Sequence, residues 1–273
     1  MVKKFGEFPP VVSLVNRCDL QDDEIKTIAA ALTKQVDDDF NPAWGCAAKV
    51  RVTNSPADAD WQIVFLNDAE SGDNLGYHEL TLNGQPISKV FVKTTLAAGQ
   101  RVSTTASHEL LEMLIDPGAQ MWAQNDDGAM YAYEVCDAVE EEEYKIGDVW
   151  VSDFVYPSFF ESWRAPRSTQ FDREGKVSRP FETLRRGYQI VNFNGRVQEI
   201  FASKLKERHF REVEDRTFHR SEYRKARAQA ASGPLASPLS SGATRADALR
   251  YAGRHLMALA NGGDPFPTDP WNW

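Results

Sequence analysis

The chain has 273 residues, 42% of them hydrophobic, with 40 acidic against 31 basic side chains and a formal net charge of −9. That length allows one large domain or two modest ones with a real core. The acidic balance argues against nucleic-acid binding, which usually needs a basic face. Cys18, Cys46 and Cys136 lie far apart with no CxxC pair, which points to a reducing compartment rather than a disulfide framework.

In chain order, Pro9 and Pro10 interrupt the apolar start. No stretch approaches the roughly 20 apolar residues of a membrane span, so the expectation is a soluble protein without an export signal or membrane partner. Residues 19–36 predict a helix capped by Asp19, with Asp22 and Asp23 at the positive end of its dipole and Ile25, Ile28, Ala29 and Leu32 as its apolar stripe. "AKVRVT" (48–53), "WQIVFLND" (61–68) and "SKVFVKTT" (88–95) predict strands, with a loop-rich "SGDNLGYHELTLNGQPI" before the third and a turn at Asn83-Gly84. A helix is expected from about Ser103–Thr105 to Pro117.

Beyond it, "GAMYAYEVCDAV" and "GDVWVSDFV" read as strands, and "GYQIVNFNGRVQEIFA" (187–202) as a strand pair turned at Asn194-Gly195. The charged segment from Ser203 to about Ala228 suggests an exposed helix, and residues 231–243 have linker composition. A short amphipathic helix (Arg245 to Ala260) and the aromatic end "DPFPTDPWNW" close the chain. Phe266, Trp271 and Trp273 would dock either on the domain or on a protein partner, as an anchor on a tether.

The informative stretch is "ASHELLEMLIDPG" (106–118). On a helix His108, Glu112 and Asp116 form one ridge, with Glu109 at its side and Leu110, Leu111, Met113, Leu114 and Ile115 covering the rest. A helix this apolar is buried, and buried carboxylates are costly unless paired or coordinated. Imidazole and carboxylates offer N and O ligands suited to Zn²⁺ or another divalent cation. Glu109 could then activate a water as general base. A further ligand would come from Asp116 itself or from Glu134 and Asp137, two acids in an otherwise apolar strand. The alternative is an ordinary core histidine, with Glu112 and Asp116 paired to arginines such as Arg164 or Arg185. His78 could line the cleft or sit in a solvated loop. Cys136 reads as core and the "EEEE" run as a solvated turn.

On these residues the chain resembles the zincins, metallopeptidases whose active helix carries HExxH. The order of elements over residues 10–165 is similar, and "SHELLEML" with the later "YEVCD" and "VSDFVYPSFF" also resembles a group of zincin-like proteins of bacteria and phages. The resemblance implies His108 as first zinc ligand, Glu109 as general base and Glu112 in place of the second histidine. It also implies that the strand before the active helix is an edge strand, where Val90 and Val92, with His78 upstream, would bind an extended peptide substrate.

The expected architecture is therefore α+β. A zincin-like mixed sheet with its active-site helix would fill residues 1–202, followed by a charged helix (203–230), a linker (231–243) and a C-terminal helix with an extended tail (244–273). The leading expectation is a metal-dependent peptidase, cytoplasmic or, if phage-encoded, virion-associated. The competing one is a non-catalytic structural or assembly protein of a particle that keeps a degenerate zincin scaffold. An adaptor or inhibitor that binds peptides on its edge strand is a third option.

Overall fold

A computed structural model describes residues 9–53, 61–70, 74–81 and 84–202, together with the backbone of His209–Glu212. The fold is α+β. Its first sheet contains β1 (Val11–Arg17), β2 (Lys49–Val52), β3 (Trp61–Leu66), β4 (Gly76–Leu80) and β5 (Pro86–Phe91), in the order β2-β1-β3-β5-β4. Every pairing is parallel except β4 with β5. Val11, Val12, Leu14 and Val15, with the buried Ser13 between them, make β1 a strand with both faces covered, as parallel sheets require. The two prolines merely precede it.

Helix α1 (Asp22–Gln35) buries Ile25, Ile28, Ala29, Ala31 and Leu32. Its cap is Gln21 rather than Asp19: the Gln21 N–H donates to Glu24 Oε2 at 2.9 Å, while Asp19 pairs with Lys93. The chain continues through a π-turn (Val36–Phe40) into α2 (Asn41–Trp44), which ends at Gly45 with φ 69°. The strand expected over 88–95 stops at Phe91, and Val92 opens a short helix, α3 (Val92–Ala97). Helix α4 (Val102–Ile115) is buried almost all round, packed on β4 and β5 and, across from them, on β9 (Val149–Ser152). A polar tie fixes its rotation. Ser107 Oγ donates to Gln35 Oε1 (2.7 Å), Gln35 Nε2 donates to the Ser152 carbonyl (2.9 Å), and the Ser152 N–H donates to Ser107 Oγ (3.0 Å).

The second sheet is antiparallel, with the order β12-β11-β10-β7-β6. Its strands are β6 (Trp122–Gln124), β7 (Met130–Ala132), β10 (Tyr188–Phe193), β11 (Arg196–Phe201) and β12 (His209–Glu212). Strand β8 (Glu143–Ile146) pairs with β9 in a separate hairpin. The Asn194-Gly195 turn forms as expected, with φ of 52° and 76° at its two residues. β12 lies where a charged helix is expected, because its backbone pairs with β11. The linker, terminal helix and aromatic tail lie outside the described residues. Among the described residues no helix is long and apolar enough to cross a membrane.

Asp153, fully buried just after β9, has an unusual neighbour in the equally buried Asp172. Burial, then the Asp172 charge and a hydrogen bond with that carboxyl, push Asp153 up to about 8. Its Oδ1 accepts the Phe154 and Glu174 N–H groups, and Asp172 accepts those of Lys176 and Val177. The folded state thus holds a proton that the unfolded chain releases near pH 4. A raised carboxyl gives stability that is present at low pH and lost as pH rises through the folded value. Asp153→Asn keeps a neutral group there. The variant should therefore gain on wild type between about pH 4 and 8 and level off above, by ~1–3 kcal/mol in urea melts across pH.

Candidate metal centre

Helix α4, strand β4 and the turn after β7 converge on one cluster. From α4 come His108, Glu109 and Glu112; from β4, His78; and from the turn, Glu134, Asp137 and Glu140. The two later acids are not on a strand. β7 stops at Ala132, and Asp137 opens a 3-10 turn (Asp137–Val139) whose carbonyls and amides fold Glu140 back over His108. His78 is not in a solvated loop either. It faces α4 across the sheet, 1% exposed, beside its pairing partner Ser88, whose hydroxyl contacts the Glu109 carbonyl (3.4 Å).

The His108 geometry is the most informative. Its Nε2 lies 3.2 Å from Glu112 Oε2 and 3.3 Å from Asp137 Oδ1. Each of these two separations matches the roughly 3.3 Å between ligand atoms that share a tetrahedral zinc at ~2.0–2.1 Å. The groups whose ligand atoms all lie within 4.8 Å of one another join His108 to Glu112 and Cys136, or to Asp137 and Glu140. On the other side of the ring, Nδ1 is 3.3 Å from Glu140 Oε2. Glu140 Oε2 makes no hydrogen bond there, so it acts on the ring through its charge. Glu112 is steadied in turn, since its Oε1 accepts the Cys136 N–H at 3.1 Å. The Cys136 thiol is also close to His108 and Glu112, but burial pushes it well up and keeps its proton.

Electrostatics agrees with a missing positive charge. Among the described residues, the ion-pair partners of Glu109, Glu112, Asp137 and Glu140 are the two imidazoles alone. Neither Arg164, which pairs with Glu161, nor Arg185 pairs with these four acids. Burial works to lower His78, yet Glu134, Glu109 and Glu112 raise it to about 9. Burial likewise opposes His108, whose acidic neighbours Glu112, Glu140 and Asp137 lift it well above the ordinary range. Burial drives Glu112 up to about 8 and Glu140 up to about 7. Their surroundings thus favour the protonated forms of Glu112, Glu140 and both imidazoles, protons that a bound divalent cation would displace.

Three expected site residues do not join the cluster. Asp116 spends its carboxylate on the Gln120 and Met121 N–H groups (3.1 and 2.7 Å) and closes the end of α4. Its carbonyl faces the site, 3.0 Å from His78 Nε2. Val90 and Val92 are buried in the core and line no peptide groove, because β4 pairs along the side of β5 that was expected to be free. The outer strand is β4. Glu140 was missed, as one of four consecutive glutamates; the other three pair outward with Arg186, Lys176 and Arg101.

Two glycines make the site possible. A Cβ at Gly76 would lie 2.7 Å from Glu109 Oε1, so only glycine lets that carboxylate fold onto β4. A Cβ at Gly187 would lie 2.5 Å from the Ala138 carbonyl oxygen and 2.9 Å from that of Asp137. Those are backbone atoms of the turn that carries Asp137. Gly187→Ala should cost ~1–3 kcal/mol by overpacking. It should also weaken cation binding several-fold through displaced Asp137, measurable by titration of the folded variant beside wild type.

No family model, curated protein or solved structure matches this chain.

Proposed function

We propose that the chain is a divalent-metal-dependent hydrolase of the zincin type that acts on peptide bonds, with His108, Glu112 and Asp137 as ligands. The single observation carrying this reading is the arrangement around His108: two acidic oxygens at tetrahedral-edge distances from Nε2, and Glu140 behind Nδ1. A cation held there supplies Lewis acidity toward a carbonyl and a water. Glu109 Oε2 is buried without a hydrogen bond, as a base awaiting a proton would be. It takes the proton of the attacking water while the hydroxyl adds to the acyl carbon. The proton then passes to the departing nitrogen as the C–N bond breaks. The least covered atoms belong to Glu140 (28% exposed) and His108 (11%), so substrate would approach on that side.

Near-complete burial of the other members favours a second reading, a structural cation in a particle or assembly protein. Incubating a mixed peptide pool with the protein, before and after chelation, separates the two. Metal-dependent cleavage supports the hydrolase. A chelator-induced fall in melting temperature without cleavage supports the structural cation. No effect of chelation on either contradicts both.

A further inference from the structure

We propose that His78, Glu112 and Glu134 hold a second divalent cation beside the first, with the Glu112 carboxylate shared between them; this rests on the metal-centre reading above. Glu112 Oε2 is approached from two sides, by His108 Nε2 at 3.2 Å and by His78 Nδ1 at 3.8 Å. His108 Nδ1 faces Glu140 at 3.3 Å, and His78 Nε2 faces the Asp116 carbonyl at 3.0 Å with Glu134 Oε2 at 3.8 Å from the same nitrogen. An Nε2–H donated to that carbonyl leaves the His78 Nδ1 lone pair directed at Glu112, the arrangement of a ligating histidine with its outer support. Ligand atoms of His78, Glu112 and Glu134 all lie within 4.8 Å of one another, and all three residues are buried.

A separate observation points to the same place. Glu109 is only 5% exposed, its Oε2 makes no hydrogen bond, and that oxygen lies 3.8 Å from His78 Nδ1. A buried carboxylate oxygen without a donor is stabilised by a cation nearby even when it is not a ligand. Charge points the same way. Once metal binding displaces the bound protons, the five carboxylates Glu109, Glu112, Glu134, Asp137 and Glu140 carry five negative charges. With neutral imidazoles, one divalent ion leaves −3 and a second leaves −1. Mixed N and O donors suit Zn²⁺ or Mn²⁺, and paired ions in hydrolases sit roughly 3.5–4 Å apart.

The test is titration of the metal-free full chain with Mn²⁺ alone, read by calorimetric stoichiometry and by electron paramagnetic resonance. The expected result is two ions per chain with an exchange-coupled spectrum. Glu134→Gln and Asp137→Asn should each bind one ion and give the uncoupled six-line signal. One ion per chain in wild type, with a six-line signal, overturns the second site and leaves the first standing. No binding in wild type overturns both. If Glu134→Gln does not fold, the wild-type spectrum decides alone: coupled supports the pair, six-line refutes it.

Discussion

Glu109→Gln is expected to retain the cations and lose hydrolysis by ~10²–10⁴-fold, the usual worth of a positioned general base. The substitution is nearly isosteric and keeps the Cγ–Oε1 packing against Gly76. It removes only the ability of Oε2, which now has no hydrogen bond, to accept a proton. Metal content and melting temperature should therefore match wild type within error, while kcat falls and KM moves little. A variant that loses its metal as well would make Glu109 a ligand rather than the base. A variant with full activity would remove Glu109 from the chemistry.

Glu112→Gln should have the larger effect on binding. Among the described residues its Oε2 is the one oxygen in ion-pair reach of both imidazoles, and the Cys136 N–H anchors Oε1. An amide keeps that anchor but offers a weak, neutral ligand, so cation binding should be lost. In chelator the variant should melt at or above wild type, because it no longer buries a carboxyl among like charges. In metal the order should reverse. A ligand bound only by the folded state adds about 4 kcal/mol at roughly 1,000 times Kd, and the variant forgoes that increment. Differential scanning calorimetry with and without Zn²⁺ checks both halves. An equal metal-induced shift in the two proteins would place the cation elsewhere.

How far the site could be read from sequence follows from which contacts are local. His108, Glu109 and Glu112 are set by helical spacing, and a carboxylate-bearing helix with no basic residue in an apolar surround already suggests a cation. Glu134 and Asp137 stood out as acids in apolar sequence, although the turn they occupy was read as strand. His78 and Glu140 depend on long-range placement. The first needs β4 to pair outside β5; the second needs the 137–140 turn to fold back, against Gly187 some fifty residues on. No periodicity marks either. Gly76, two residues before His78, was the available signal for a close approach, and a single glycine in a loop-rich stretch carries little weight. The missed β1 is similar: four apolar residues after two prolines read as an interrupted apolar start until β2 and β3 flank them. Asp116 misled for the opposite reason. Helical spacing puts it on the ridge, but at the last turn the free backbone amides beyond it claim its carboxylate.

The central claim is that His108 ligates a divalent cation. The most direct measurement is metal content by mass spectrometry on protein purified without added metal, wild type beside His108→Ala. Stoichiometric Zn²⁺ or another divalent metal in wild type, lowered by at least one ion per chain in the variant, is the predicted result. Absence of metal from both, with the same melting temperature in chelator and in excess Zn²⁺, would contradict it.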